Sequence, residues 1–159
     1  MREMKVSEVR VSTPEDAPVV VLREVDGGRL LPIWMSAGGA AAIVSATEDA
    51  DPYRPCIHDL ATEIVQSLGR RVEQARIVGF DDGQFFAELV ISGQVIAARP
   101  SDAIAIALRA GCPILCREGV LDAAGVSEHP VASEPEGPQA EEEVERFREF
   151  LDSVSPDDF

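Results

Sequence analysis

Three strand-like runs, Val72 to Phe80, Gln84 to Ile91 and Gln94 to Arg99, are separated only by Asp81-Asp82-Gly83 and Ser92-Gly93. Connections that short cannot carry a chain across a sheet, so the three runs must pair as an antiparallel meander. In the middle run Phe85, Ala87, Leu89 and Ile91 fall on alternate positions, so one face of the meander is buried. Two further strands are expected upstream, Pro18 to Val25 and Leu30 to Met35, joined at the turn signal Asp26-Gly27-Gly28. Pro32 directs the second of them to an edge or a bulge. Residues 4–11 alternate as a strand, and Ile114 to Cys116 is a short one.

Helices fill the intervals. Ser36 is placed to cap a helix from about Ala37 to Glu48, whose small residues Gly38 to Ala42 let another backbone approach. From Pro55 to Leu68 the pattern is again helical, with Ile57, Leu60, Ala61, Ile64 and Leu68 on one stripe. At 100° per residue His58 falls on the rim of that stripe, and Asp59 and Glu63 fall on the opposite, polar face. Ser101 reads as an N-cap with Asp102 in the positive first turn. The body from Ala103 to Ala110 is apolar nearly all round and ends at Gly111 and Pro113, so it should be buried on most sides. The fold class that follows is α+β: a mixed, largely antiparallel sheet with a β-meander, packed against helices.

Composition divides the chain. Residues 127–159 hold 11 acidic and 2 basic side chains, a net of −9, so the formal −15 of the whole chain leaves −6 for residues 1–126. The expected organisation is a folded body over 1–126, a Pro/Glu-rich linker over 127–139 and an acidic amphipathic helix and tail over 140–159. In that helix Val144, Phe147, Phe150, Leu151 and Val154 share one side and need a surface to cover. The acidity excludes a broad basic groove for a polyanion. A local site is still open, because 13 of the 14 basic residues are arginine, which is suited to bidentate phosphate contact. No run is apolar enough to span a membrane and no leader is evident, so a cytoplasmic protein is expected. Cys112 and Cys116 flank a strand and lie too far apart to share a zinc ion, so the cysteines are read as buried apolar groups.

Four segments together resemble the bifunctional nuclease domain family, from about Met4 to Gly125. They are Leu31-Pro32-Ile33-Trp34-Met35, Arg54-Pro55-Cys56-Ile57-His58-Asp59-Leu60, Asp82-Gly83-Gln84-Phe85-Phe86-Ala87 and Arg99-Pro100-Ser101-Asp102-Ala103-Ile104-Ala105. The chain departs from the family pattern at Ser36 to Ala40, which usually includes an acidic residue, and at Ile57, which is usually threonine. The resemblance implies an α+β fold, a homodimer or other homo-oligomer, and hydrolysis of phosphodiester bonds in DNA and RNA. On that reading His58, Asp59 and Asp102 are the catalytic candidates, and Arg54, Arg99 and Ser101 bind substrate.

Two mechanisms fit these residues. In one, His58 is the general acid or base while Arg54 and Arg99 clamp the phosphate and Asp102 orients a partner. In the other, Asp59 and Glu63 hold a magnesium ion. The first is preferred, with no metal ligand assigned and a divalent cofactor left open. Each residue also has a plainer reading: Arg99 and Asp102 as a helix-start pair, His58 as a rim histidine bonded to a carbonyl, Asp59 as a dipole partner, and Trp34 as core or interface in preference to a base-stacking platform. The rival function is a non-catalytic regulatory or assembly domain, homo-oligomeric, binding a small anion or a protein.

Overall fold

The computed structural model describes residues 1–10, 17–47 and 55–127. Residues 1–128 form one compact unit. Arg54, the linker apart from Ser127, and the acidic helix expected over 140–159 lie outside the described residues.

Eight strands make one sheet: β1 (Arg2–Arg10), β2 (Val19–Glu24), β3 (Arg29–Trp34), β4 (Val72–Asp81), β5 (Gln84–Ile91), β6 (Gln94–Ala98), β7 (Ile114–Cys116) and β8 (Val126–Ser127). Their spatial order is β6-β5-β4-β7-β1-β2-β3-β8. Every pairing is antiparallel except β4 with β7, whose parallel register (Ala75↔Ile114) needs the long crossover that the rest of the chain supplies. The fold is therefore α+β, as expected.

The meander forms because its turns are built for it. Asp82 and Gly83 have φ of 46° and 76°, and Ser92 and Gly93 have 46° and 79°. Two successive positive φ angles match the right-handed twist of a two-residue hairpin, a conformation that Asp, Ser and Gly tolerate. Ala87 and Leu89 turn inward as the alternation requires. Pro32 sits opposite Val21, while β8 covers β3 only at Arg29 and Leu30, so the proline's missing donor falls on an open edge.

Helices α1 (Ala37–Ser45), α2 (Ile57–Ser67), α3 (Pro100–Ala110) and α4 (Glu118–Ala124) complete the body. α3 lies against β4 and β5 and carries α1 and α2 beside it. Its Ala103, Ile104, Ala105 and Ala107 are fully buried, which is what a helix apolar all round demands. α1 comes very close to α3: a Cβ placed on Gly39 would lie 2.7 Å from the Cβ of Ser101. The small-residue run in α1 serves this contact.

α2 overturns its expected orientation. Ile57 is 69% exposed, Ile64 50% and Leu68 73%, with Leu60 also open, while the buried residue is Thr62. The polar side of the helix faces inward. The reason is Arg109, on the last turn of α3, whose side chain is only 8% exposed. Its Nε donates to Asp59 on α2. Nη1 donates to the carbonyls of Ala42 (2.9 Å) and Ala105 (3.1 Å), and Nη2 to Ser45 Oγ (2.9 Å) and Cys56 Sγ (3.1 Å). One guanidinium thus ties three helices together, with all three of its nitrogens in use. Asp59 in turn accepts from the backbone N–H of Cys56 (2.8 Å) and caps α2.

Two outcomes follow. Arg109→Met keeps the bulk but removes the main partner of the part-buried Asp59 carboxylate, so it should lower unfolding stability by about 1–3 kcal/mol. This would be read as a fall in the urea midpoint at unchanged slope, and adding Asp59→Asn should restore part of it. Gly39→Ala forces α1 off Ser101 and should cost about 1–3 kcal/mol by the same measurement.

Candidate functional site

Asp102 is the centre of the site. It lies in the first turn of α3, where the helix dipole favours an anion, and three nitrogens of two side chains converge on its carboxylate. His58 Nε2 stands 3.0 Å from Oδ1, Arg99 Nε donates to Oδ2 at 2.7 Å, and Arg99 Nη2 donates to Oδ1 at 3.1 Å. Burial is the largest influence on this carboxyl and opposes ionisation. The hydrogen bonds from Arg99 and then His58 together outweigh it, leaving Asp102 below its usual range. An ionised carboxylate only accepts, so His58 Nε2 carries the proton between them. Whenever the ring is neutral its lone pair then lies on Nδ1, which takes no partner among the described residues. The imidazole is 13% exposed and the Arg99 side chain 75%, so a held ring sits beside an open cation.

Local chain geometry explains the convergence. Arg99 is the extended residue just before α3, and Pro100 fixes the first helical position. Ser101 is therefore not the N-cap that the sequence suggests: Arg99 takes that place, and Ser101 lies inside the first turn, 6% exposed. Its hydroxyl has no hydrogen-bond partner among the described residues. On the other side, the inward rotation of α2 carries His58 from its expected rim position onto α3, and its carbonyl accepts from Thr62 Oγ1 at 2.8 Å.

The structure brings together His58, Asp102 and Arg99, with Ser101 adjoining them. Asp59 is not in that group. Hydrogen bonding from Cys56 holds its carboxyl below the usual range against burial, with Arg109 adding to the effect. The Asp59–Glu63 face expected to be solvated borders a hollow of about 520 Å³ that Arg109 also lines. The guanidinium already neutralises Asp59, so this pair does not present the free carboxylates that a magnesium ion needs. Among the described residues no three His, Cys, Asp or Glu side chains converge as a ligand set.

Sequence reasoning missed Arg109, and of its two readings for Trp34 the core one does not hold. Arg109 follows an apolar run as one more last-turn cation, and nothing local marks its partners on two other helices. Trp34, expected in core or interface, is 64% exposed. It lines a hollow of about 320 Å³ with Met35, Gln84, Phe85, Arg99 and Ser101. The four segments that carry the family resemblance thus meet around the start of α3, so far as they are described.

Among the described residues no helix is long and apolar enough to cross a membrane. Two proteins of Mycobacterium tuberculosis, the uncharacterized proteins MT1877 and Rv1829, are each 46% identical over the whole of this chain and 98% of their own length. Bifunctional nuclease 1 of Arabidopsis thaliana is 32% identical over 61% of the chain and 32% of its own length. Bifunctional nuclease 2 of Oryza sativa subsp. japonica is 30% identical over 71% of the chain and 38% of its own. The model of the bifunctional nuclease domain matches residues 20–129, a span that holds His58, Arg99, Ser101 and Asp102. This chain belongs to the bifunctional nuclease domain family.

Proposed function

We propose that the protein hydrolyses phosphodiester bonds in DNA and RNA, with His58 as general base and Arg99 as the phosphate contact. The His58–Asp102–Arg99 cluster carries this reading, because it combines an oriented imidazole with a cation at a solvent-open surface. Nδ1 takes a proton from water as its oxygen bonds to phosphorus, and the phosphorus–oxygen bond to the leaving nucleoside breaks. The same proton then passes to the departing oxygen. Asp102 holds the ring and stabilises the imidazolium in between, as a carboxylate does in other oriented-histidine sites. Asp59 acts as a positioning residue: it fixes the rotation of α2 that brings His58 onto α3. Arg54 belongs to the same proposal as a second phosphate contact, beside Pro55. The names of the plant relatives support the substrate class. All three cysteines are free, which suits the cytoplasmic placement also proposed.

The second reading, a homo-oligomeric assembly domain, has its own observation. Ile57, Leu60, Ile64 and Leu68 form an exposed stripe without a charge on it. In a chain of net charge −15, another copy can approach an uncharged face without like-charge repulsion. We assign this stripe to a two-fold contact between copies, one helix against its twin. Self-association is compatible with hydrolysis, whereas a non-catalytic domain is not.

His58→Ala should reduce kcat/KM on DNA and RNA roughly 100-fold or more, and Asp102→Asn by a similar order, in purified protein assayed with and without EDTA. Unchanged rates in both variants would remove the hydrolase proposal. Ile64→Glu should shift the oligomer toward monomer in light scattering without lowering the melting temperature of the dilute protein. The pH dependence has a definite sign. Because Asp102 ionises more readily folded than unfolded, its contribution to stability is complete above the ordinary carboxylate range and is lost as pH falls through its depressed value. Asp102→Asn should flatten the acid limb of a melting-temperature profile, and an unchanged limb would show that Asp102 is not held as described.

A further inference from the structure

We propose that the hollow bounded by Trp34 and Arg99 is a nucleobase subsite, in which Trp34 stacks on one base of a strand whose phosphate is held by Arg99. The proposal rests on the hydrolase reading for its substrate class, and it assigns residues that the chemistry of bond cleavage does not use.

Exposure of Trp34 is the first observation. β3 directs Leu31 and Ile33 into the core, so the strand's alternation turns Trp34 to the other side, at the last rung of the ladder with Val19. The indole is the chain's single tryptophan and is 64% exposed, although it carries more burial energy than any other side chain type. The second observation is what shares the space. A volume of about 320 Å³ stands at the small end of ligand pockets, and its walls come from three separate places. These are the β3–α1 junction (Trp34, Met35), the β4–β5 turn (Gln84, Phe85) and the β6–α3 junction (Arg99, Ser101).

The third observation is the unmet hydrogen-bonding capacity of this wall. Arg99 uses Nε and Nη2 on Asp102, and its Nη1 has no partner among the described residues. The Ser101 hydroxyl likewise has no partner among the described residues, and the residue borders the hollow. Gln84 adds an exposed amide that both donates and accepts. A purely apolar ligand would leave the arginine and the serine without partners, and a simple anion would have no use for the indole and Phe85. A flat heteroaromatic ring with polar edges and a phosphate attached uses all of them. Single-stranded nucleic acid is read in this manner, by stacking on aromatic faces and by hydrogen bonds to base edges. Arg99 joins the two functions, since the same side chain borders the hollow and binds the carboxylate that orients His58.

The test uses the full chain and the emission of its one tryptophan. Titration with 5′-AMP and with 5′-UMP should quench Trp34 saturably, whereas inorganic phosphate and ribose 5-phosphate should not. By calorimetry, Trp34→Ala should weaken nucleotide binding about tenfold, Gln84→Ala about threefold, and neither should lower the melting temperature appreciably. His58→Ala should bind nucleotide as the parent does while losing hydrolysis. No change in emission with either nucleotide at millimolar concentration would overturn the subsite, as would ribose 5-phosphate binding as tightly as AMP, or Trp34→Ala binding undiminished. Hydrolysis without nucleotide binding at Trp34 would leave the hydrolase reading standing and remove the subsite. Binding without hydrolysis would do the reverse.

Discussion

The buried contact between Arg109 and Asp59 is the constraint on which the helical layer depends. A helix such as α2, with a strong apolar stripe, ordinarily turns that stripe to the core. Burying each large side chain would contribute roughly 1.5–3 kcal/mol. Here the helix turns the other way, because the guanidinium on α3 finds in Asp59 its one carboxylate, and in the last turn of α1 a carbonyl and a hydroxyl that accept from it. Uncoupling the pair would strand a guanidinium that is only 8% exposed, a cost of several kcal/mol. The polar clamp therefore sets the rotation of α2 and, with it, the position of His58. The function proposed for His58 depends on an arginine that the reaction itself does not touch.

This dependence explains what the sequence made legible. The meander was readable because its cause is local: two-residue turns of Asp-Gly and Ser-Gly type fix the pairing of the strands they join. α3 was readable because a segment apolar on every side has no alternative to burial. Its capping was not, since Pro100 displaces the helix start by two residues and turns Ser101 from a cap into a buried first-turn group. The facing of α2 was not readable either. Periodicity ranks the faces of a helix by hydrophobicity, and Arg109 lies 50 positions away from the aspartate that decides the matter. His58, Asp102 and Arg99 were singled out through the family resemblance. Spacing alone gave no reason to bring residue 58 to residue 102.

The acidity of the chain and the chemistry of its site are reconciled at the same place. A protein of net charge −15 cannot draw nucleic acid in through a long-range field, and the loss of counterion release leaves little affinity to gain from phosphates. What the structure offers is short-ranged: one exposed guanidinium with a free nitrogen, a helix N-terminus behind it and an aromatic face beside it. Stacking does not depend on net charge and weakens little with salt. An acidic protein that handles nucleic acid would rely on it more than a basic one does.

The outward stripe of α2 and the inward His58 are two sides of a single rotation, so the proposed self-association and the proposed catalysis are not independent features. A helix that turns a polar face inward must leave its apolar face uncovered, and the exposed isoleucines and leucines are unfavourable in water until something covers them. A twin helix would do so without disturbing the clamp, since Arg109 and the stripe lie on opposite sides of α2. Coverage of the stripe would in turn favour the rotation that holds His58 against Asp102. Assembly and site formation then draw on one conformational choice, made by Asp59 at the first turn of the helix.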